Sequence, residues 1–159
     1  MTERVAIASL GAVGRVIARQ VSEKLPEYRL SAVTARRLDR ARDFVRSHGL
    51  AADVVGLERI SENADIVIEC APAQVYREIA EPVIESGKTL ITLSVGALLD
   101  HWDLVDVARA TGGRILVPSG AILALDAVQG VSEGVVHSVR MVTRKPLAGL
   151  RGAPFLERQ

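Results

Sequence analysis

The sequence predicts an α/β fold built on a doubly wound parallel sheet, and three observations support that prediction. Short β-branched runs alternate along the 159 residues with longer segments whose apolar residues recur at helical spacing. The β-branched runs lack strict polar–apolar alternation, which is typical of strands buried on both faces. A glycine-containing turn joins the first strand to the first helix. Strand, helix and strand repeated in this order form right-handed crossovers with helices on both faces, which is the Rossmann arrangement.

The predicted strands and helices follow one another regularly along the chain. β-branched runs predict five strands, over residues 5–8, 30–34, 65–69, 89–93 and 114–117. Helical faces lie between these runs, and the first of them is formed by Val13, Val16, Ile17 and Val21. We expect residues 1–134 to form one nucleotide-binding domain.

The sequence pattern changes after residue 134. Alternation with period two from Ser138 to Thr143 predicts a half-buried strand of an antiparallel sheet, beginning near Val135. A single strand cannot form a sheet, so it joins the edge of the first sheet, pairs with another chain or belongs to a longer polypeptide. We expect residues 135–159 to be the start of an incomplete α+β substrate or dimerisation domain. An unpaired strand also favours a homo-oligomer.

Composition and charge exclude several classes of function. The formal net charge is +1 and aromatic residues make up 3% of the chain, so neither nucleic acid nor an anionic membrane is an expected partner. Cys70 is the single cysteine, which excludes an intrachain disulfide and any zinc site with two thiolates. No metal site is expected. The absence of a recognisable targeting segment and the lone cysteine favour a cytoplasmic location.

The turn after the first strand has the position and composition of a dinucleotide-binding fingerprint. Gly11 lets the backbone approach a pyrophosphate, and Gly14 lets the first helix pack closely on the strand. The helix N-terminus then offers N–H groups and its dipole to the phosphates. Ser9 stands where the usual fingerprint has its first glycine, and we expect it to keep an ordinary φ. A plain structural turn is the alternative interpretation.

The tip of the second strand bears on the choice between NAD and NADP. An acid at this position would bind the ribose hydroxyls and repel a 2′-phosphate. The strand ends at Thr34 and continues into Arg36 and Arg37 without an acid. Two arginines can form charged, bidentate hydrogen bonds with a 2′-phosphate. Alternatively, both arginines begin a solvated helix.

Later turns give the sequence a resemblance to a known family. Turns over residues 69–72, 94–98 and 118–122 follow strands, and the segment Thr143–Pro146 comes after them. In this order and spacing they resemble L-aspartate dehydrogenase, and the resemblance covers residues 5–154. It implies oxidation of L-aspartate to iminosuccinate with NAD or NADP, for NAD biosynthesis. The cofactor performs the redox step, and the protein positions it.

The resemblance assigns roles to individual residues. Cofactor-contacting positions of the family fall on the pyrophosphate turn, on the turn beside a ribose and on one alanine: Gly11, Ala12, Val13 and Gly14; Ala71 and Pro72; and Ala121. The family's catalytic histidine and a cofactor-contacting asparagine would lie beyond Gln159. We therefore expect no catalytic residue within residues 1–159.

Two other functions stay open at this point. One is a non-catalytic NAD(P)-binding module, such as a truncated paralogue. The weaker one is a reductase that resembles homoserine dehydrogenase. The coding sequence downstream of residue 159 would discriminate between an enzyme and a module.

Several polar residues have two interpretations each. We expect Cys70 to be a small buried residue and not a nucleophile, because no partner base is evident. Glu69 either lines the cofactor pocket or is a surface carboxylate. Arg144 and Lys145 either hold a substrate carboxylate or end a strand in solvent. Non-catalytic positions are expected for all three histidines, at a helix end, a helix start and a strand start: His48, His101 and His137.

Overall fold

A computed structural model describes residues 2–119, 125–140, 142 and 144, with the backbone alone for residues 125–127. The chain divides into two compact units, residues 1–120 and residues 121–159. The domain limits expected from the sequence, 1–134 and 135–159, remain a prediction.

The first unit is an open sheet of six strands, with α-helices in every connection except that from β3 to β4. Its strands are β1 Glu3–Ala8, β2 Tyr28–Thr34, β3 Asp53–Val54, β4 Ile66–Glu69, β5 Thr89–Thr92 and β6 Arg114–Leu116. Its helices are α1 Ala12–Lys24, α2 Leu38–Ser47, α3 Tyr76–Glu85, α4 Val95–Asp100 and α5 Asp103–Thr111. Short 3-10 turns cover Leu57–Arg59 and Ala73–Val75.

All strand pairs in this sheet are parallel, and the strand order is β3-β2-β1-β4-β5-β6. The chain builds outward from β1 to β3 on one side and then returns to build from β4 to β6 on the other. The order therefore reverses between β1 and β4, where a doubly wound sheet binds its ligands. This topology confirms the predicted fold class. β3 was not predicted, because a strand of two residues is too short to show a recognisable hydrophobic pattern.

The strands are buried on both faces, which explains their continuous apolar runs. Val5 and Ile7 of β1 pack on the side of α1 and α2, in a cluster that includes Phe44. Ala6 and Ala8 face the opposite way, into a cluster formed with α3 and α5. Because neighbouring residues of one strand belong to different clusters, β1 has no solvent-facing side along these four residues.

The connection from β1 to α1 is unusually close. A Cβ atom on Gly14 would overlap the carbonyl oxygen of Ser9 and lie 3.3 Å from Cγ2 of Ile7. Only glycine fits there, as the sequence predicts. Ser9 has a φ of 90°, the one positive φ among the described non-glycine residues. The expected ordinary φ at Ser9 is therefore wrong, since the position keeps a glycine-like conformation although its residue has changed.

An ion pair joins β1 to the loop before β4. The guanidinium of Arg4 donates from Nη2 to Oδ1 of Asp65 at 2.8 Å and from Nε to Oδ2 at 3.1 Å. The backbone N–H of Arg4 donates to Oδ2 at 2.9 Å. These hydrogen bonds lower the pKa of Asp65 to about 2. The pair fixes the entry of β4 beside β1 at the amino ends of the two strands.

The second unit contains α6, Leu125–Ser132, and an irregular stretch after it. Residues 135–140 have no strand structure, so the described part of the predicted strand over residues 135–143 is not formed as expected. Met141 and Thr143 lie outside the described residues. A strand needs a hydrogen-bonded neighbour, and residues 135–140 have none among the described strands. Within the described residues, no helix has the length and apolar character to cross a bilayer.

Replacing Ser9 with glycine should stabilise the protein. The change removes the backbone strain of a non-glycine residue at positive φ, which costs about 1–3 kcal/mol. Part of this gain is lost because glycine has more conformational freedom in the unfolded chain. We expect a net gain of about 1 kcal/mol in the free energy of unfolding, measured by urea denaturation. Ser22→Gly, within α1, is the control and should destabilise the protein. If both variants lowered the free energy of unfolding equally, Ser9 would not be strained.

The stability contributed by Asp65 should depend on pH. Its pKa in the folded protein is below the ordinary value of 3.8, so the contribution is fully present above about pH 5 and disappears as the pH falls towards 2. Asp65→Asn should therefore lower the unfolding free energy at pH 7, and the difference from wild type should shrink between pH 5 and pH 2. Asp53→Asn, the control, removes an exposed carboxyl that has no ion pair among the described residues. A pH-independent loss for Asp65→Asn would refute the assignment.

Candidate cofactor site

The candidate site lies at the carboxyl ends of β1, β2, β4 and β5, where the turns after these strands come together. Gly11 precedes α1 with φ −72° and ψ −165°, and no side chain caps this helix. The first helical amides, including those of Ala12 and Val13, have no partner within the helix. Both residues are exposed, and the first turn carries no acid. A helix end of this kind binds phosphate through its N–H groups and its dipole.

Gly11 itself borders open space. A Cβ atom added there would meet nothing within 4 Å, in contrast to Gly14, where it would overlap protein backbone. The two glycines therefore have different roles, as the sequence predicts: Gly14 serves packing, and Gly11 leaves the groove open. An anionic group can approach the backbone on the side where the Gly11 side chain is missing.

An apolar cavity of about 380 Å³ lies between the ends of β2 and β4. Its walls are Ser9, Thr34, Ala35, Arg36, Leu38, Gly56, Leu57, Ala71, Pro72 and Val75. Three predicted site residues, Arg36, Ala71 and Pro72, thus meet in one cavity although they come from distant parts of the sequence. Its size and its apolar walls suit a purine and its ribose.

Gly56 and Leu57 were not predicted as site residues. They belong to the connection after β3, and the two-residue strand before them gives no sequence signal. Their place in the cavity follows from the pairing of β3 with β2, which brings this connection beside the tip of β2.

A groove beside the cavity carries four arginines. It is lined by the turn Ser9–Gly11 and by residues of α1, of the β2 tip and of α2, among them Arg15, Arg36, Arg37 and Arg40. Although the net charge of the whole chain is only +1, four of its 20 lysine and arginine residues line this groove. The groove therefore offers a local site for phosphate.

The four arginines are not equally available. Arg15 donates from Nε to the carbonyl oxygen of Leu10 at 3.0 Å, and its guanidinium lies 5.3 Å from the ring centre of Phe44. Arg37 donates to Asp39 at 3.1 Å. Arg36 is exposed and forms no hydrogen bond or ion pair within the described residues. Neither Arg36 nor Arg37 lies inside α2, which begins at Leu38 with Arg37 as its N-cap.

Glu69 follows neither sequence interpretation. Its side chain is fully buried, so it is not a surface carboxylate, and it does not line the cavity. Its two oxygens instead accept hydrogen bonds from the turns after β4 and β5, the shortest from the N–H of Ala71 at 2.7 Å. Sequence reasoning missed this role because the donors of the β5 turn lie 23–25 residues downstream.

Cys70 is half-buried and packs against the cluster that includes Phe44, so it is less completely buried than the sequence predicts. Burial, reinforced by the charge of Glu69, raises the pKa of its thiol to about 12. A thiol with so high a pKa is a poor nucleophile at neutral pH.

The two histidines of the first unit contact aromatic side chains, and neither lines the cavity or the groove. His48 ends α2, and its Nδ1 lies 2.9 Å from the carbonyl oxygen of Phe44. His101 follows α4, and its ring stacks on Tyr76 with centroids 6.1 Å apart. His137 is an exposed residue of the second unit. None of them is brought into the site by the first unit.

The remaining predicted residues lie in the C-terminal part of the chain. Ala121 and Lys145 lie outside the described residues. Arg144 is an exposed residue of the second unit. Within the described residues, no group of three or more His, Cys, Asp or Glu could hold a metal ion.

Comparison with known proteins places the chain in a family of NAD-binding domains. Residues 10–118 match the family model described as homoserine dehydrogenase, NAD binding domain. L-aspartate dehydrogenase of Bradyrhizobium diazoefficiens is 48% identical over 153 residues, which is 96% of this chain and 54% of that protein. L-aspartate dehydrogenase 3 of Bordetella bronchiseptica is 47% identical and is covered to 56% of its length. The chain thus spans about half the length of the curated relatives it matches.

Solved structures show the same fold at low sequence identity. Myo-inositol dehydrogenase from Lactobacillus casei, in complex with NAD(H) and myo-inositol, superposes with a TM-score of 0.70 at 19% identity. This match covers 84% of this chain and 42% of the other. An NAD binding oxidoreductase from Klebsiella pneumoniae gives 0.65 at 18% identity, covering 83% and 39%.

These findings confirm the resemblance to L-aspartate dehydrogenase and a dinucleotide as the cofactor. The family match extends from the glycine turn to the end of the sheet and therefore includes every described turn of the candidate site. The chain belongs to the family of homoserine dehydrogenase NAD-binding domains.

Proposed function

We propose that this chain is the cofactor-binding part of an enzyme that oxidises L-aspartate to iminosuccinate with NAD or NADP. The observation that supports the proposal best is the identity of 47–48% to two L-aspartate dehydrogenases over nearly the whole chain. The described geometry supports the cofactor half of the proposal, since a helix N-terminus, an apolar cavity and a basic groove lie side by side at the switch point of the sheet.

Each part of the site has a task in holding the dinucleotide. The N–H groups of Ala12 and Val13 bind the pyrophosphate, which approaches over Gly11. The adenosine enters the cavity beside Ala71 and Pro72. The nicotinamide then lies on the other side of the switch point, over the turns after β4 and β5. When bound, the nicotinamide supplies the hydride acceptor for the amino-acid substrate.

The acid–base group of the reaction is proposed to lie outside residues 1–159. His48 and His101 are engaged with Phe44 and Tyr76. The high pKa of Cys70 makes that thiol unsuitable as a base at neutral pH. The task of the described residues is to bind and orient the cofactor.

Partners and location extend the proposal. L-aspartate is the proposed small-molecule partner, by similarity to the named relatives. A homo-oligomer is supported by β6, which among the described strands has a sheet neighbour only on the β5 side. A cytoplasmic location is supported by the free thiol of Cys70.

Substrate choice provides the test of the proposed function. The protein that contains this chain should form NADH or NADPH, followed at 340 nm, with L-aspartate and not with L-homoserine. Turnover on the order of 1 s⁻¹ is expected with L-aspartate. Residues 1–159 by themselves should bind NAD⁺ and show only background turnover, because positioning and acid–base catalysis are both incomplete.

Gly11→Ala is the matched control for this assay. The added methyl meets nothing in the protein, so the variant should fold normally and lose cofactor binding and turnover together. Turnover with L-homoserine alone would support a homoserine-dehydrogenase-like reductase instead. Cofactor binding without turnover on either substrate would support the non-catalytic module.

The arginines at the tip of β2 are proposed to favour NADP. Arg36 is free to bind a 2′-phosphate, and Arg37 can exchange its exposed partner Asp39 for it. Replacing both with alanine should weaken NADP⁺ binding about 10-fold or more, because each charge-assisted hydrogen bond contributes about 1.5–3 kcal/mol. Binding of NAD⁺ should change little. Isothermal titration of both cofactors measures the two affinities.

A second double variant, which also removes two positive charges, controls for long-range electrostatic effects. Arg42→Ala with Arg46→Ala removes two exposed arginines of α2 that do not line the groove. This control should leave the ratio of the NADP⁺ and NAD⁺ affinities unchanged. If the Arg36 and Arg37 variant also leaves it unchanged, the pair is only solvated and the proposal is wrong.

A further inference from the structure

The carboxylate of Glu69 is buried beneath the turns that end β4 and β5. The side chain is fully inaccessible, at the last position of β4. Buried carboxylates are rare unless their oxygens are satisfied. The group that satisfies Glu69 is not a cation, since no Lys or Arg of the described residues is paired with it. It is instead a set of N–H and O–H donors from two separate turns.

Five donors surround the two carboxylate oxygens. Oε1 accepts from the N–H of Ala71 at 2.7 Å and lies 3.0 Å from the hydroxyl of Ser94. Oε2 accepts from the N–H groups of Leu93 at 3.2 Å and Ser94 at 2.9 Å, and from the hydroxyl of Thr92 at 3.3 Å. Ser94 Oγ also lies 3.2 Å from the carbonyl oxygen of Ala71. The carboxylate thus joins the β4 turn to the β5 turn.

These two turns occupy the part of the site on which the nicotinamide half of the cofactor lies in the proposed function. One of the five contacts, that to Ala71, also reaches the wall of the adenosine cavity. The remaining four hold residues 92–94, which do not line that cavity. The main mechanical effect of Glu69 therefore falls on the nicotinamide side.

We propose that Glu69 is a positioning residue for the cofactor, which fixes the β4 and β5 turns at the separation required by the nicotinamide half. It does not touch the cofactor itself. This inference rests on the proposed function, because it requires a dinucleotide across the switch point. A glutamate that only stabilised the fold would affect all parts of the cofactor equally.

Glu69→Gln separates these two cases. The amide keeps the size of the side chain but replaces one acceptor oxygen with an NH₂ donor, which must face either the N–H of Ala71 or the N–H groups of Leu93 and Ser94. In the proposed function, NAD⁺ lies over both turns, whereas ADP reaches only the turn after β4, through the cavity beside Ala71 and Pro72. By isothermal titration, we expect NAD⁺ affinity to fall at least about 10-fold and ADP affinity to fall less than about 3-fold.

A second measurement needs no cofactor. In the ligand-free variant, either the amide proton of Ala71 or those of Leu93 and Ser94 should exchange with solvent faster than in wild type, because the side that faces the new NH₂ group loses its acceptor. Glu78→Gln, an exposed glutamate of α3, is the matched control and should change neither the affinities nor the exchange rates. Ser94→Ala removes one hydroxyl donor and introduces no new donor. If Glu69→Gln fails to fold, this variant tests the positioning role instead. It should weaken NAD⁺ more than ADP.

The outcomes are distinguishable. Equal losses for NAD⁺ and ADP, or unchanged NAD⁺ affinity, would overturn the positioning role and leave the proposed function intact. A wild-type protein that binds neither NAD⁺ nor ADP would contradict the proposed function and overturn this inference with it. A selective loss of NAD⁺ affinity with faster exchange at the amides that face the new NH₂ group supports the inference.

Discussion

The close approach of α1 to β1 is the constraint on which the site depends. Because Gly14 has no Cβ, the helix can lie against the carbonyl of Ser9 and the side chain of Ile7. The chain must then reverse within Leu10 and Gly11, and Ser9 takes a positive φ to allow it. The same geometry directs the first amides of α1 towards the groove at the switch point. A packing requirement of the core thus sets the direction of the helix dipole on which the proposed phosphate site depends.

Charge and apolar surface are separated within the site. The cavity between β2 and β4 is lined mostly by small and aliphatic residues, while the neighbouring groove holds four arginines. A dinucleotide has the same division, with apolar base faces and a charged phosphate backbone. Net charge alone did not reveal this complementarity, because acidic residues elsewhere in the chain balance the arginines.

The sequence predicted the sheet and the glycine turn because both depend on local chemistry. Buried parallel strands need continuous apolar runs, and a close helix–strand contact needs glycine at one position. The conformation of Ser9 could not be predicted, since it depends on where α1 lies in space. The burial of Glu69 could not be predicted from the sequence either, because its oxygens accept hydrogen bonds from residues more than 20 positions downstream. The strand expected near Val135 needs a neighbouring strand to bond with, and the alternation of its own residues does not show whether such a strand is present.

The environment of Cys70 has a consequence for the redox chemistry of the protein. Only the thiolate reacts readily with peroxide, disulfides or alkylating agents. Burial raises the pKa of the Cys70 thiol well above its ordinary value, so almost none of it is thiolate near pH 7. The half-buried sulfhydryl that follows β4 therefore stays protonated. At the cofactor site proposed above, this thiol would not compete with the cofactor for electrons.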